Sequence, residues 1–214
     1  MRTPKERQYD LLGPRVVEAL VRRGNEAVYV TDAAAAREQI HAWLLRDQVR
    51  SVGWGGTETM TECGVFDLVR EMDLEVIDRD TAESFEKRQD MMRRALAADA
   101  FLMSFNALSA DGIAINIDGI GNRLSAMIWG PKYVYAIVGM NKVAPDYDSA
   151  VLRARQVASP MNAIRLECDT PCATTGRCAD CMGDNSICSY FVANRRVRPR
   201  GRIKVILVGA DLGF

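Results

Sequence analysis

The sequence has little histidine, no excess charge of either sign and no long apolar run. Its only histidine, His41, falls within the helix-like stretch REQIHAWLL, so no Ser-His-Asp triad can be assembled. Its 28 Lys and Arg residues balance 28 Asp and Glu residues, which leaves no overall positive charge for nucleic acid or an anionic membrane. No uncharged apolar run reaches about 18 residues, which argues against a membrane span.

The amino-terminal residues lack the apolar core of an export signal. Pro4, Glu6, Asp10 and Pro14 interrupt the segment in which such a core would lie. We therefore expect a soluble cytoplasmic protein. In that compartment, clustered cysteines are more typical of metal or redox sites than of disulfides.

Cysteine is concentrated in one short, turn-rich segment. Four of the six cysteines follow the spacing C-x5-C-x2-C-x6-C: Cys172, Cys178, Cys181 and Cys188. Disulfides, a metal centre and a reduced structural loop are all compatible with such a cluster, and the expected compartment favours a metal centre. Gly176 and Gly183 can supply the bends that would bring all four thiolates to one ion.

The cysteine spacing also bears on the choice between iron–sulfur and zinc. A zinc ribbon usually carries two C-x2-C knuckles, whereas this segment has one, with unequal arms of five and six residues. This favours a 4Fe-4S cluster and leaves zinc as the alternative. Cys168 is a spare candidate ligand, and Cys63 is interpreted as a buried thiol.

Short apolar runs alternate with amphipathic stretches along the chain. This pattern predicts an α/β fold, with a mixed sheet flanked by helices, in a single domain over residues 1–214. The alternation of isoleucines at 113–117, followed by Asp118-Gly119, predicts an antiparallel ribbon. The cysteine-rich loop, residues 168–190, is expected as a peripheral insertion between strands. Strands are predicted at 27–30, 49–54, 74–78, 100–105, 133–139, 163–166 and 202–209.

Two segments have the composition of a ligand site. The first, VGWGGTETMTECG, follows a strand and opens a predicted helix at 59–71, with Thr59 and Glu62 at the spacing of a capping box. Its glycines permit close backbone approach to an anion, although a glycine turn with a helix cap explains them equally well. Glu58 is a candidate general base or an exposed first-turn acid.

The second segment runs from residue 104 to 142 and is rich in polar residues at predicted strand ends. Asn and Asp beside Gly are ordinary turn residues, but turns have no need of Arg123, Lys132 or Lys142, which suit a carboxylate or phosphate. Ligands of open α/β sheets bind beyond the carboxyl ends of the strands. The predicted ligand-binding residues are Gly55, Gly56, Thr57, Glu58, Asn116, Asn122, Arg123 and Lys132.

Several segments, taken in order, resemble the LUD domain, the lactate-utilisation family. The likeness covers residues 5–214 and rests on SVGWGGTETMTECG, SFNALSADGIAINIDGIGNR, WGPKYVYAIVGMNKV, PMNAIRL, TPCATTGRCADCMGDNSIC and GRIKVILVGADLGF. The resemblance implies a fold similar to the sugar-phosphate isomerase and CoA-transferase superfamily. It also implies a role in the oxidation of lactate or related organic acids, beside iron–sulfur or oxidoreductase-like protein partners.

Two functions are therefore predicted. The preferred one is a LUD-type component of organic-acid oxidation that carries a 4Fe-4S cluster on the four clustered cysteines. The rival is an isomerase- or acyl-transferase-like enzyme that acts on a small anion, with zinc or no metal at the cysteines. Substrate identity and oligomeric state, including a homo-oligomer, are left open, and no catalytic role is transferred to Glu58 or Lys132.

Overall fold

The chain is built on a six-stranded parallel sheet beside a smaller four-stranded sheet. The computed structural model describes residues 2–214. The strands are β1 (Glu26–Val30), β2 (Ser51–Trp54), β3 (Glu75–Ile77), β4 (Ala100–Met103), β5 (Ala107–Ser109), β6 (Ala114–Asp118), β7 (Tyr133–Gly139), β8 (Val143–Ala144), β9 (Tyr190–Asn194) and β10 (Ile203–Val208). The helices are α1 (Pro4–Arg22), α2 (Ala33–Arg46), α3 (Glu58–Glu62), α4 (Val65–Glu71), α5 (Phe85–Ala95), α6 (Asn122–Ile128), α7 (Tyr147–Arg153), α8 (Ser159–Arg165) and α9 (Pro171–Thr175).

The large sheet has the strand order β1-β10-β7-β4-β2-β3, and all its pairings are parallel. Its central strands are apolar on both faces, as expected where helices cover both sides. Phe101 and Met103 of β4 pack into one core cluster with α1, α5 and α6. Leu102 of the same strand packs into the opposite cluster with α2, α3 and α4. The predicted α/β class is confirmed.

The order of the strands defines where a crevice can open. From β2 the chain moves outward to β3 and then returns to β4 on the other side of β2. This reversal is a topological switch point, and the loops at the carboxyl ends of the two strands diverge there. Any ligand site of the large sheet is expected beside the residues that follow β2 and β4.

The small sheet has the order β8-β5-β6-β9 and contains the predicted antiparallel ribbon. The turn between β5 and β6 lies at residues 110–112, where Gly112 has φ +90°. Asp118-Gly119 does not form this turn. It leads into α6 instead, and the Asp118 side chain accepts from the Gly121 N–H at 2.9 Å.

Three other predicted elements differ from the structure. Residues 163–166 are not a strand: they form the end of α8, which continues α7 through a π-helical turn at Ala154–Ala158. The predicted helix at 59–71 is two helices, because Gly64 adopts φ 63° between them. The cysteine-rich loop therefore runs from α8 to β9, at the edge of the small sheet.

The basic segment 194–202 joins β9 to β10. Arg202 donates to the carbonyl groups of Met127 and Ala126 at the end of α6, at 2.6 and 2.7 Å. Arg200 donates to the carbonyl of Val21 in α1 at 3.0 Å. These arginines therefore stabilise helix ends. Across residues 2–214, no helix combines the length and apolarity needed to cross a membrane.

Candidate functional site

A cavity of about 330 Å³ opens beyond the carboxyl ends of the parallel strands. Gly56 and Thr57 reach it after β2, Ser104 after β4 and Lys142 after β7. Its position matches the crevice expected at the switch point. Five cationic side chains and two acidic ones line it: Arg79, Arg88, Arg123, Arg165, Lys142, Glu58 and Asp118.

Arg123 is the most heavily bonded of these cations. Its Nε donates to Asp118 Oδ2 at 3.2 Å, and its Nη2 donates to Asn106 Oδ1 and the Ile117 carbonyl at 3.0 and 2.7 Å. Its Nη1 donates to the carbonyl of Ser104 and more weakly to Asn116. All five N–H donors are thus directed at protein acceptors. Arg123 joins the small sheet to β4 and does not offer an open fork to an anion.

The two glycines after β2 have different surroundings. A Cβ at Gly55 would lie 3.0 Å from Arg123 Cδ, and the Gly55 N–H already donates to the Leu102 carbonyl at 3.3 Å. Gly55 therefore serves packing. A Cβ at Gly56 would lie 3.0 Å from Arg79 Nη2 and 4.0 Å from Arg165 Nη2. Glycine at position 56 consequently leaves space in front of two guanidinium groups.

Arg79, which is not among the predicted ligand residues, is the least satisfied cation of the cavity. It lies in the 3₁₀ turn after β3, and its side chain is 13% exposed. Its Nε is buried without a hydrogen-bond partner among residues 2–214, and its ion pair with Asp80 is long, at 3.6 Å. Asp80 also accepts from Arg88 at 2.9 Å. Burial and the nearby Arg88 lower the pKa of Arg79, against the opposing effect of Asp80.

Thr57 and Glu58 both line the cavity, at the start of α3. The Thr57 hydroxyl is buried and has no partner within the described chain. Glu58 pairs with Arg165 at 3.1 Å and is about one-third exposed. Thr59 and Glu62 do not form the predicted capping box, because the N-cap is Thr57 and Thr59 points into the core.

Lys142 is a buried lysine, with 3% of its surface exposed. Its Nζ donates to Thr59 Oγ1 at 2.8 Å and to Ser104 Oγ at 3.0 Å, and neither partner is a carboxylate. Burial, followed by the positive charges of Arg153 and Arg123, lowers its pKa to about 7. A lysine whose pKa is brought near neutrality in a cleft is typical of functional sites.

The remaining predicted ligand residues lie in three different places in the fold. Asn122 lines the cavity, whereas Asn116 is fully buried beneath it and accepts from Arg123. Lys132 does not join the group. It precedes β7, at the opposite edge of the sheet, and its Nζ lies 5.2 Å from the centre of the Tyr133 ring.

The four clustered cysteines include one, Cys188, that is affected by the other three. Burial raises the pKa of Cys188, and the neighbouring thiols of Cys178, Cys172 and Cys181 raise it further. All six cysteines are unbridged. Within residues 2–214, no three His, Cys, Asp or Glu side chains are arranged as ligands of one metal ion. An ion held by all four thiols would therefore require the loop to close.

The cysteine loop also touches the cavity. Ile187, next to Cys188, lines the cavity and packs against Gly119, where a Cβ would meet its Cα at 3.5 Å. On the other side, α8 contributes Asn162 and Arg165 to the cavity. The cysteine loop and the helix that precedes it therefore both form part of the cavity wall.

The fold and its cavity define an α/β protein with a cation-lined crevice at the carboxyl ends of parallel strands. The family model described as "LUD domain" matches residues 14–208, so the chain belongs to the LUD-domain family. It is similar in structure to a DUF162 family protein from Deinococcus radiodurans, with a TM-score of 0.53 and 14% sequence identity over 93% of this chain and 97% of that one. At this identity the likeness concerns the fold. No curated protein matches the chain.

Proposed function

We propose that the chain binds a small organic anion in the cavity and acts in the oxidation of lactate or related organic acids. The family relationship supports the metabolic role. The cavity supports the anionic ligand, and the observation that carries it is the buried guanidinium of Arg79, whose Nε has no hydrogen-bond partner within residues 2–214 and pairs with Asp80 only at 3.6 Å. A buried charge that lacks a full set of partners costs free energy. An anion beside Gly56 would face Nη2 of the same guanidinium and supply a close negative partner.

The other cations of the cavity explain why Arg79 is the best anchor. Arg123 is saturated by protein acceptors, Arg165 pairs with Glu58, and Arg88 pairs with Asp80. Arg79 alone among the cavity's guanidinium groups has a buried nitrogen without a partner in residues 2–214. The unsatisfied Thr57 hydroxyl lines the same cavity and can donate to the same anion.

Replacement of Arg79 tests this proposal. We expect Arg79→Met to weaken the binding of a small carboxylate or phosphate by about 1.5–3 kcal/mol, the range for a hydrogen bond to a charged group. The measurement is calorimetric titration with lactate, related hydroxy acids, sugar phosphates and CoA esters. Thermal stability should hold, because the change removes an incompletely paired charge.

The matched control is Arg94→Met. Arg94 lies on α5, the helix that also carries Arg88. Arg94 is 61% exposed, pairs with Glu75 and is absent from the cavity wall, so its replacement should leave affinity unchanged. A wild-type protein that binds none of these anions, or an Arg79→Met variant that binds as tightly as wild type, would contradict the proposal.

We further propose that Cys172, Cys178, Cys181 and Cys188 hold a 4Fe-4S cluster, with zinc as the alternative. Support comes from the donor set, four cysteines within seventeen residues of one segment. A Cβ at Gly176 or Gly183 would meet nothing within 4 Å in the described chain, so the loop has room to rearrange. Such a cluster would supply one-electron chemistry beside the cavity.

Anaerobic reconstitution with iron and sulfide tests the cluster. We expect a brown protein with about four irons per chain, as a four-cysteine cubane requires. Cys178→Ala should lose this iron, whereas Cys63→Ala should retain it, because Cys63 is buried under α4, away from the loop. Stoichiometric zinc without iron after reconstitution would instead indicate the alternative metal.

A further inference from the structure

Lys142 has a chemical capacity that anion binding does not use. A buried lysine is usually paired with a carboxylate, but both acceptors of this Nζ are hydroxyl groups. Thr59 in turn donates its own hydrogen to the Leu212 carbonyl at 3.4 Å. Its oxygen is therefore left to accept from the lysine, which fixes the direction of that hydrogen bond.

The two hydrogen bonds leave the lone pair of the amine without a partner. A neutral lysine has two N–H bonds and one lone pair. Thr59 and Ser104 take the two N–H bonds, so the lone pair is left for a third partner. Because the pKa is lowered to about 7, a large fraction of the amine is neutral at physiological pH, as a nucleophilic lysine requires.

Glycine at position 213 keeps a side chain away from Nζ. Gly213 has φ +55°, and a Cβ there would lie 3.1 Å from Lys142 Nζ and 2.6 Å from Thr59 Oγ1. A side chain at this position would therefore crowd the amine. Lys142 and Gly213 both line the cavity that contains Arg79, so a small molecule bound there would lie beside Lys142.

We propose that Lys142 forms an imine with the carbonyl carbon of a small aldehyde or ketone whose anionic group binds at Arg79. This inference rests on the anion site of the proposed function and specifies its ligand. The required ligand carries both a carbonyl group and a carboxylate or phosphate. Its two groups match an amine and a guanidinium that line the same cavity.

The reaction is balanced without an oxidant or reductant. The lone pair of Nζ attacks the carbonyl carbon, and the π electrons move to the carbonyl oxygen, which takes up a proton. The resulting carbinolamine loses one water molecule as the C=N bond forms. Ser104, bonded to Nζ at 3.0 Å, can transfer the amine proton to the departing oxygen.

Reductive trapping tests the imine. Wild-type protein is incubated with pyruvate or with glyceraldehyde 3-phosphate, treated with cyanoborohydride and analysed by mass spectrometry. We expect one adduct, with the mass of the carbonyl compound less one oxygen atom, on the peptide that contains Lys142. The two compounds distinguish a carboxylate from a phosphate as the anionic group. Mapping is direct because the chain has five lysines: Lys5, Lys87, Lys132, Lys142 and Lys204.

Two variants and one binding measurement make the outcome decisive. Lys142→Arg should abolish the adduct, and the matched change Lys132→Arg, on an exposed lysine at the opposite end of β7, should leave it unchanged. Trapping at Lys132, or equally at all lysines, would overturn the proposal even if Lys142→Arg fails to fold. Calorimetric binding of pyruvate without an adduct would overturn the imine and leave the anion site standing. Absence of both would overturn the two proposals together.

Discussion

At the scale of single residues, the direction of strand β7 separates two lysines whose surroundings in the sequence are alike. Lys132 and Lys142 lie at opposite ends of the same strand, β7, and both sit beside turn residues. Only the strand's direction decides which of them reaches the carboxyl edge of the sheet. Lys142 was recognisable as a cation that a turn does not need, but its burial and its hydroxyl partners follow from tertiary contacts.

The same limit applies to the arginines. Arg123 was predicted as a ligand because its fork suits a carboxylate, but the fork is filled by strand ends and by Asn106 and Asp118. Arg79 lies in a short turn whose composition is typical of an exposed loop. It shares the cavity wall with Arg165 of α8, which lies far along the chain.

The buried amine of Lys142 should also make the free energy of unfolding depend on pH. Its pKa is about 7 in the folded chain and 10.5 ordinarily, so between these values the unfolded chain binds more protons. The free energy of unfolding should therefore rise with pH over this window, by up to about 1.4 kcal/mol per pH unit. Cys63, whose pKa is raised to about 12 chiefly by burial, acts in the opposite direction above the ordinary thiol pKa of 9.0, because there the unfolded thiol ionises before the folded one.

The measurement is the difference in unfolding free energy between Lys142→Met and wild type, from urea titrations at pH 7, 8 and 9. We expect the variant's stability relative to wild type to fall as pH rises, because the Lys142 amine of wild type loses its buried charge when it is deprotonated. Comparison with Lys132→Met removes the contribution of other titrating groups. A difference that does not depend on pH would show that Lys142 has an ordinary pKa in the folded chain.

At the scale of elements, long buried apolar runs were predicted well, and a short exposed edge strand was not. β7 was predicted at its observed bounds because seven consecutive residues are mostly β-branched or aromatic. β9 was missed, since it is an edge strand whose residues are largely exposed. Residues 163–166 were misassigned because four residues are too few to separate a buried strand from a helix end.

The break between α3 and α4 gives a prediction at this scale. Gly64 adopts φ 63°, a left-handed conformation that costs other residues about 1–2 kcal/mol. Gly64→Ala should therefore destabilise the chain by that amount and lower Tm by roughly 2–4 °C per kcal/mol for a domain of this size. The added methyl itself fits, because its nearest neighbour would be Arg37 Nε at 3.6 Å.

Gly183→Ala is the control for this change. Gly183 is outside the set of glycines with positive φ, and a Cβ there would meet nothing within 4 Å in residues 2–214. Calorimetric scans should show a Tm near that of wild type for Gly183→Ala and a lower one for Gly64→Ala. Equal shifts would mean that backbone conformation at residue 64 is not the cause.

At the scale of the whole molecule, the α/β architecture could be predicted because helices must cover both faces of an apolar parallel sheet. The location of a crevice beyond the carboxyl ends followed from the same reasoning. What could not be predicted was its lining. Arg79, Arg165 and Ile187 come from a 3₁₀ turn, a helix and the cysteine loop, and no local pattern relates these segments to one another.

Because Ile187 lines the cavity and directly precedes Cys188, the proposed anion site and the proposed ion site share a wall. The cysteine loop also follows α8, whose last residue, Arg165, reaches the cavity. If closure of the loop round an ion displaces this wall, the anion's affinity changes by some factor. Reciprocity then requires the anion to change the affinity for the ion by the same factor. The concentration of the anion would thus set how readily the loop takes up or releases the proposed ion.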